Sequence, residues 1–319
     1  MYFCLMVFKS PGKIIFTSEY VVLKGALALS LPTLLGQSMD VDIQKLDGFE
    51  LVWEAFDHHQ DCWFRARFLR TSDHKIKAVE GAAEHSVDLE KMLDLCFNDS
   101  NSRLSKYGSY HVSCELDFDS QWGLGSSSSL IANLSLWSGV NAFDLLKSIS
   151  KGSGYDVAIA LENKALLYQL CEGTPAWERV DWYPKFADQL HFIHLGRKQK
   201  SELEVARFNK LNSLTTSEIQ WFSETSRKLL HIEEVTEFIE VLEEHEQRLS
   251  KILNTETIKN QMFRDFKGSI KSLGAWGGDF ILATGPRSDL RYFESRGFHT
   301  ILSFEELFGS NEPSNHKTL

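Results

Sequence analysis

The stretch Gly123-Leu124-Gly125-Ser126-Ser127-Ser128-Ser129 runs directly into Leu130-Ile131-Ala132-Asn133-Leu134, and that junction decides how the chain is read. Two glycines let the backbone take turn conformations closed to other residues. The apolar run that follows predicts a helix over residues 128–137, whose first N–H groups lack intrahelical partners and face back into the turn. Backbone donors gathered at a helix start favour a phosphate. No Gly-Lys-Ser/Thr closes the segment, so it is not a P-loop of the Walker A kind.

Three more segments stand around this loop. Upstream, Ser10-Pro11-Gly12-Lys13-Ile14-Ile15-Phe16-Thr17-Ser18-Glu19-Tyr20 follows an apolar opening, residues 1–8, which reads as a buried strand entering a turn at Pro11-Gly12. Downstream, Gly152-Ser153-Gly154-Tyr155-Asp156-Val157-Ala158 sets an aspartate just after a glycine turn, a place where aspartate commonly caps a helix. Near the end comes Ser272-Leu273-Gly274-Ala275-Trp276-Gly277-Gly278-Asp279, a second glycine-rich loop with an indole inside it. Each segment alone is a weak signal, since Gly/Ser runs are more often turns than ligand sites. Their order along one chain is the stronger one.

In that order the segments resemble the signatures of the GHMP kinases, which phosphorylate small metabolites with ATP. The opening segment is similar to the P-G-K-hydrophobic-G-E-H/Y motif, with Ser18 where glycine is usual. The third resembles the aspartate element of phosphomevalonate and mevalonate kinases, and its Gly154-Tyr155-Asp156-Val157-Ala158 resembles a bacterial group known for G-Y-D-I-A. The last matches the C-terminal glycine signature except at Trp276. The resemblance spans residues 10 to about 283 and implies an α+β, two-domain fold. Its N-terminal domain would be ribosomal-protein-like, over residues 1–195, and its C-terminal domain ferredoxin-like, over residues 196–319.

The same resemblance implies ATP and Mg²⁺ as cofactors. Gly123, Leu124, Gly125, Ser126, Ser127 and Ser128 then hold the ATP phosphates, and Ser127 also contacts the metal. Lys13 offsets charge on the transferring phosphoryl group. Asp156 is the general base that takes the acceptor's proton. Glu19, Tyr20, Gly277 and Gly278 fall on the substrate side. The acceptor is mevalonate or phosphomevalonate. An alcohol needs a base, which favours mevalonate, whereas the G-S-G-aromatic-D and G-G-D patterns lean to phosphomevalonate. A decarboxylase of mevalonate diphosphate shares the fold but lacks the motif lysine, so Lys13 speaks against it; a non-catalytic metabolite sensor stays open. The resemblance leaves room for a homodimer.

Composition sets the outer bounds. A chain of 319 residues with 43% hydrophobic content is long enough for two cores. A net charge of −10 argues against a nucleic-acid surface, although local N–H groups and a lysine can still hold a nucleotide. Five scattered cysteines without a C-x-x-C pair suggest neither a disulfide framework nor a zinc knuckle and fit a reducing cytosol. No stretch approaches the ~20 apolar residues of a membrane span, and the opening segment lacks a basic leader. A soluble, cytoplasmic protein is expected, bound to neither membrane nor nucleic acid.

Strand-like alternation appears at residues 40–45, 49–55, 62–69 and 111–118, with Asp47-Gly48 as a hairpin signal between the first two. Helical spacing marks residues 87–97, with Ser86 placed to cap them, and residues 143–148 and 232–253. Asp57-His58-His59-Gln60-Asp61-Cys62 holds metal-type ligands, but adjacent residues in a turn seldom converge on one ion. The basic run Arg197-Lys198-Gln199-Lys200-Ser201 resembles a segment that borders the family's substrate pocket.

Overall fold

In the computed structural model residues 4–81, 83–197, 205, 207–210, 214–274, 276 and 278–310 are described. Packing divides the chain into two compact units, residues 1–13 with 35–163 and residues 14–34 with 164–319. The division is discontinuous where the sequence reading drew one boundary after residue 195. The reason is that the chain changes unit within two long strands, β1 (Cys4–Ile15) and β2 (Ala28–Gln44), and again after residue 163. The architecture is α+β, as expected.

In the first unit β2 is followed by β3 (Phe49–Phe56), β4 (Cys62–Arg70), β5 (Ile76–Gly81) and β6 (Gly108–Leu116), and the strand order is β5-β4-β3-β6-β2. Strand β3 shows how sequence makes this sheet: Phe49, Leu51, Trp53 and Ala55 point inward, and the residues between them point out. Four helices pack with the inner face: α1 (Ala83–Asn98), α2 (Ser126–Ser138), α3 (Ala142–Ile149) and α4 (Tyr155–Glu162). Phe97 of α1 meets Trp137 of α2 edge-on at 5.6 Å and Phe49 of β3 at 4.9 Å. Burying a side chain of that size stabilises by about 1.5–3 kcal/mol, so this aromatic seam fixes α2, which carries the Gly/Ser loop.

Three sequence expectations change here. Asp47-Gly48 does link β2 to β3, but the two do not form a hairpin: β6 lies between them, antiparallel to β2 and parallel to β3. The Gly108 N–H donates to the Gly48 carbonyl at 2.8 Å, so the turn region receives β6 rather than closing on itself. Strand β1 does not turn at Pro11-Gly12 but continues to Ile15, and its Leu5 and Val7 are exposed. Close approach explains the continuation, since a Cβ on Gly36 of β2 would lie 2.4 Å from the Ser10 carbonyl oxygen. Finally, Ser86 lies inside α1, which begins at Ala83, and is not its cap.

The second unit holds a four-stranded antiparallel sheet in the order β10-β11-β9-β12: β9 (Leu190–His194), β10 (Ile270–Ser272), β11 (Phe280–Thr284) and β12 (Ile301–Ser303). Every residue of β9 and β11 is buried. The start of β2 pairs with β7 (Leu166–Cys171), which pairs with β8 (Thr174–Arg179). Its helices include α5 (Thr216–Leu229), α6 (Val235–Leu253), α7 (Ile258–Met262), α8 (Arg291–Glu294) and α9 (Phe304–Phe308). A capping box closes the start of α5, where Thr215 and Glu218 satisfy each other's backbone N–H groups. Helix α6 buries Phe238, Leu242 and Leu249, and places His245 and Glu246 in the same buried stripe.

Candidate active site

Within the first unit the Gly/Ser loop is built by two successive turns. Asp119 accepts a hydrogen bond from the Gln121 N–H at 2.8 Å and starts a short 3₁₀ turn, and Gly123 and Gly125 then take φ values of 67° and 90°. Leu124 between them is buried and anchors the loop. Gly125 is the N-cap of α2 and supplies no side-chain cap, and the first helical bond runs from the Ser129 N–H to the Gly125 carbonyl at 3.1 Å. Ser128 Oγ also donates to that carbonyl, at 2.8 Å. The backbone N–H groups of Ser126, Ser127 and Ser128 precede that bond, which leaves them as donors for a bound anion. Ser127 is exposed on this first turn.

Lys13 is tied to the loop twice. Its N–H donates to the Leu124 carbonyl and its Nζ to the Gly123 carbonyl, each at 2.8 Å. The ammonium also lies 5.8 Å from the centre of the Tyr155 ring. Tyr155 opens α4, whose second residue, Asp156, is half-buried and accepts the Val157 N–H through Oδ1 at 3.0 Å. Lys13, the residues 123–128 and the start of α4 are therefore neighbours in one unit. A cation beside a row of N–H donors is the arrangement that a polyphosphate requires.

Asn133 supports this arrangement, and the sequence reading passed it over. It accepts a hydrogen bond from Ser10 Oγ at 2.8 Å and donates to the Gln37 carbonyl at 3.1 Å, so it fastens β1 and β2 to α2. An asparagine in the middle of the apolar run 130–134 was its one visible signal, because a buried amide must find partners.

The second unit contains the other half of the motif set. Glu19 is buried and pairs with Lys271, while the Tyr20 hydroxyl accepts the Trp276 N–H at 2.8 Å. Trp276 is itself buried, packed with Tyr20, Phe208, Phe222 and Leu249, and its Nε1 donates to the Glu256 carbonyl at 3.2 Å. The indole is thus part of the core. Gly278 is buried, and Asp279 takes a left-handed φ of 52° while its backbone pairs with Leu195 and Arg197. Gly277, like Lys198, Gln199, Lys200 and Ser201 of the basic run, lies outside the described residues. Sequence reading also missed Lys271, Glu246 and His245: each is an ordinary polar residue locally, Lys271 standing between Ile270 and Ser272 of a short strand.

The Asp57–Cys62 stretch is a turn. Asp57 Oδ1 accepts the N–H groups of His59 and Asp61 at 2.9 and 3.0 Å, so the carboxylate closes its own loop. Among the described residues no cluster of histidine, cysteine and carboxylate side chains is arranged to hold a metal. No described helix is long and apolar enough to cross a membrane.

No protein-family model and no curated protein sequence matches the chain. Solved structures do. A Streptococcus pneumoniae phosphomevalonate kinase in complex with phosphomevalonate and AMPPNP is 16% identical, with a TM-score of 0.65 over 93% of this chain and 99% of that one. The Methanococcus jannaschii mevalonate kinase is 16% identical, with a TM-score of 0.63 over 94% and 97%. A Lactococcus lactis galactokinase complexed with galactose is 12% identical, with a TM-score of 0.62 over 94% and 92%. The fold that these structures share is the fold of this chain.

Proposed function

We propose that this chain, which folds as the GHMP kinases do, transfers the terminal phosphoryl group of ATP to a small anionic acceptor, mevalonate ahead of phosphomevalonate. The observation that carries the reading is the double tether of Lys13 to the loop of residues 123–128, beside the helix that bears Asp156. The AMPPNP held by the S. pneumoniae neighbour supports ATP as the donor.

The chain's own groups divide the work. N–H groups at the start of α2 hold the phosphates, and the Lys13 ammonium offsets the charge that spreads over the transferring group. Ser127, exposed on that turn, is the residue that would hold Mg²⁺, which when bound neutralises phosphate oxygens. Asp156 accepts the proton of the acceptor hydroxyl as its oxygen bonds to the γ-phosphorus. The bond from that phosphorus to the bridging oxygen breaks, and its electron pair leaves with ADP. An alcohol acceptor needs this base, whereas a phosphate acceptor is already ionised at neutral pH. That difference ranks mevalonate first. Cys62, Cys96, Cys114 and Cys171 are free thiols, which suits a reducing, cytoplasmic setting.

Release of ADP, measured with mevalonate, phosphomevalonate, galactose and homoserine as acceptors, tests the reading. We expect the highest kcat/KM with mevalonate. A higher value with phosphomevalonate reverses the ranking, and turnover of a sugar or amino acid alone removes the isoprenoid acceptor. Binding of ATP without turnover of any acceptor favours a sensor.

A further inference from the structure

Glu19 sits in the second unit among groups that the proposed chemistry does not use. The side chains facing it are Lys271 from β10 and His245 and Glu246 from α6, and all four residues are at most 3% exposed. Lys271 spends its three donors inside the group: on Glu19 Oε1, on Glu246 Oε1 at 3.2 Å and on the Ser272 carbonyl at 3.0 Å. Glu246 Oε2 in turn accepts the Ser272 N–H at 3.1 Å. None of these cationic donors is left over for a ligand.

His245 does a different job. Its Nε2 accepts the Ser18 N–H at 2.9 Å, so the ring is neutral with its proton on Nδ1, and burial pushes its pKa well below the ordinary 6.5. Glu19 Oε2 lies 3.6 Å from that same nitrogen, facing a lone pair rather than a donor, and has no hydrogen-bond partner among the described residues. Burial, opposed by Lys271 and assisted by Glu246, raises the Glu19 pKa from the ordinary 4.5 to about 7.

The backbone around Glu19 explains what this group is for. Ser18 and Tyr20 have φ values of 61° and 62°, a left-handed conformation that disfavours any residue with a Cβ. A turn strained on both sides of one residue persists only when its surroundings over-determine it. Here they do: His245 holds the Ser18 N–H, Lys271 holds Glu19, and the Tyr20 hydroxyl holds the Trp276 N–H at 2.8 Å.

We propose that the Glu19–Lys271–Glu246 group, with His245, is a buried strut that fixes both the turn of residues 18–20 and the glycine-rich segment starting at Ser272, and that Glu19 is a positioning residue rather than an acceptor ligand. The proposal rests on the kinase reading only in naming the acceptor. It gives Lys271 the central part, since one ammonium joins the turn to the strand that leads into Trp276. Removing that ammonium leaves two buried carboxylates without their cation.

Amide hydrogen exchange across residues 18–20 and 272–274, normalised for the intrinsic rate at each pH, reads the strut directly. If opening the segment exposes Glu19, wild-type protection falls about fourfold between about pH 6.5 and pH 8 as its proton is lost, a window above the range in which His245 acts in the opposite sense. Glu19→Gln flattens that slope to what Glu246 contributes, and its KM for the acceptor stays within about threefold of wild type. Lys271→Met lowers protection at least about tenfold; should this variant not fold, Glu19→Gln still decides. An unchanged pH slope in Glu19→Gln overturns the strut. So does a rise of more than about tenfold in its acceptor KM with protection intact, which makes Glu19 a ligand. Should no acceptor be turned over, the kinase reading fails and the exchange measurement alone judges the strut.

Discussion

Replacing Gly125 with alanine tests the phosphate loop with the smallest perturbation available, a single methyl group. At φ +90° an alanine carries the left-handed penalty of about 1–2 kcal/mol. Its Cβ would also stand 2.7 Å from Ser128 Oγ and 3.1 Å from both Cε and Cγ of Lys13. Ser128 must rotate away and give up its bond to the Gly125 carbonyl, a further loss of about 1 kcal/mol. The Lys13 stem must shift by a few tenths of an ångström, which draws the ammonium from the Gly123 carbonyl. Gly173→Ala is the matched control: its φ is +79°, but nothing lies within 4 Å of the added Cβ.

Thermal unfolding of both variants, with and without Mg·ATP, separates the two costs. Without ligand, Gly125→Ala should melt lower than Gly173→Ala by the steric part alone, about 1 kcal/mol or about 2–4 °C. At a ligand concentration about 100 times Kd, wild type gains about 2.7 kcal/mol from binding. A tenfold loss of affinity in Gly125→Ala cuts that gain to about 1.4 kcal/mol, while Gly173→Ala keeps it whole. Equal melting temperatures and equal ATP shifts in the two variants would refute the assignment of residues 123–128 to the phosphates.

The catalytic pair gives a kinetic prediction: Lys13→Met and Asp156→Asn should each lower kcat by about 10²–10⁴ with little change in melting temperature, and near wild-type turnover in folded Asp156→Asn removes the base. A second prediction concerns pH and stability. The Glu19 pKa is raised by folding to about 7, so its contribution is fully present below 4.5 and is lost as pH rises through about 7. Such a shift corresponds to about 3 kcal/mol, with Glu246 shifted the same way. His245, lowered by burial, works in the opposite sense below 6.5, so the clean window lies above that value. Denaturant titrations above pH 6.5 should show wild type losing stability relative to Glu19→Gln, and parallel curves would exclude the buried proton.

The sequence revealed the parts of the site that depend on local chemistry. Glycines at 123 and 125 before an apolar run can hardly be anything but a turn at a helix start, and Tyr155-Asp156 after Gly154 opens a helix for the same reason. Alternation exposed the strands because each face of a half-buried sheet repeats every second residue. Pairing was not legible. Nothing in residues 45–48 says that β6, some sixty residues later, will be inserted between β2 and β3, since that choice depends on which inner faces fit one core. The continuation of β1 through Pro11 and Gly12 was hidden likewise, because it needs Gly36 on another strand to admit the Ser10 carbonyl. Lys271 reads as a surface lysine until Glu19 and Glu246, far away in sequence, are brought to it.

The two departures from the resembled pattern, Ser18 and Trp276, look like unrelated losses of glycine in the sequence. In the folded second unit they are joined through Tyr20, whose backbone follows Ser18 by two residues and whose hydroxyl holds the Trp276 N–H. Serine at φ +61° costs about 1–2 kcal/mol where glycine would cost nothing. Its hydroxyl returns part of that by donating to the Leu27 carbonyl at 2.7 Å, a buried hydrogen bond worth about 1 kcal/mol. The indole of Trp276 packs with the Tyr20 ring in one cluster, so the volume it adds is used to hold the turn that Ser18 strains. A glycine at 276 would leave that cluster a cavity and cost about 3–5 kcal/mol, and nothing at 18 would make up for it. The strained turn and the bulky loop residue are therefore coupled through Tyr20, which follows the one by two residues and packs against the other.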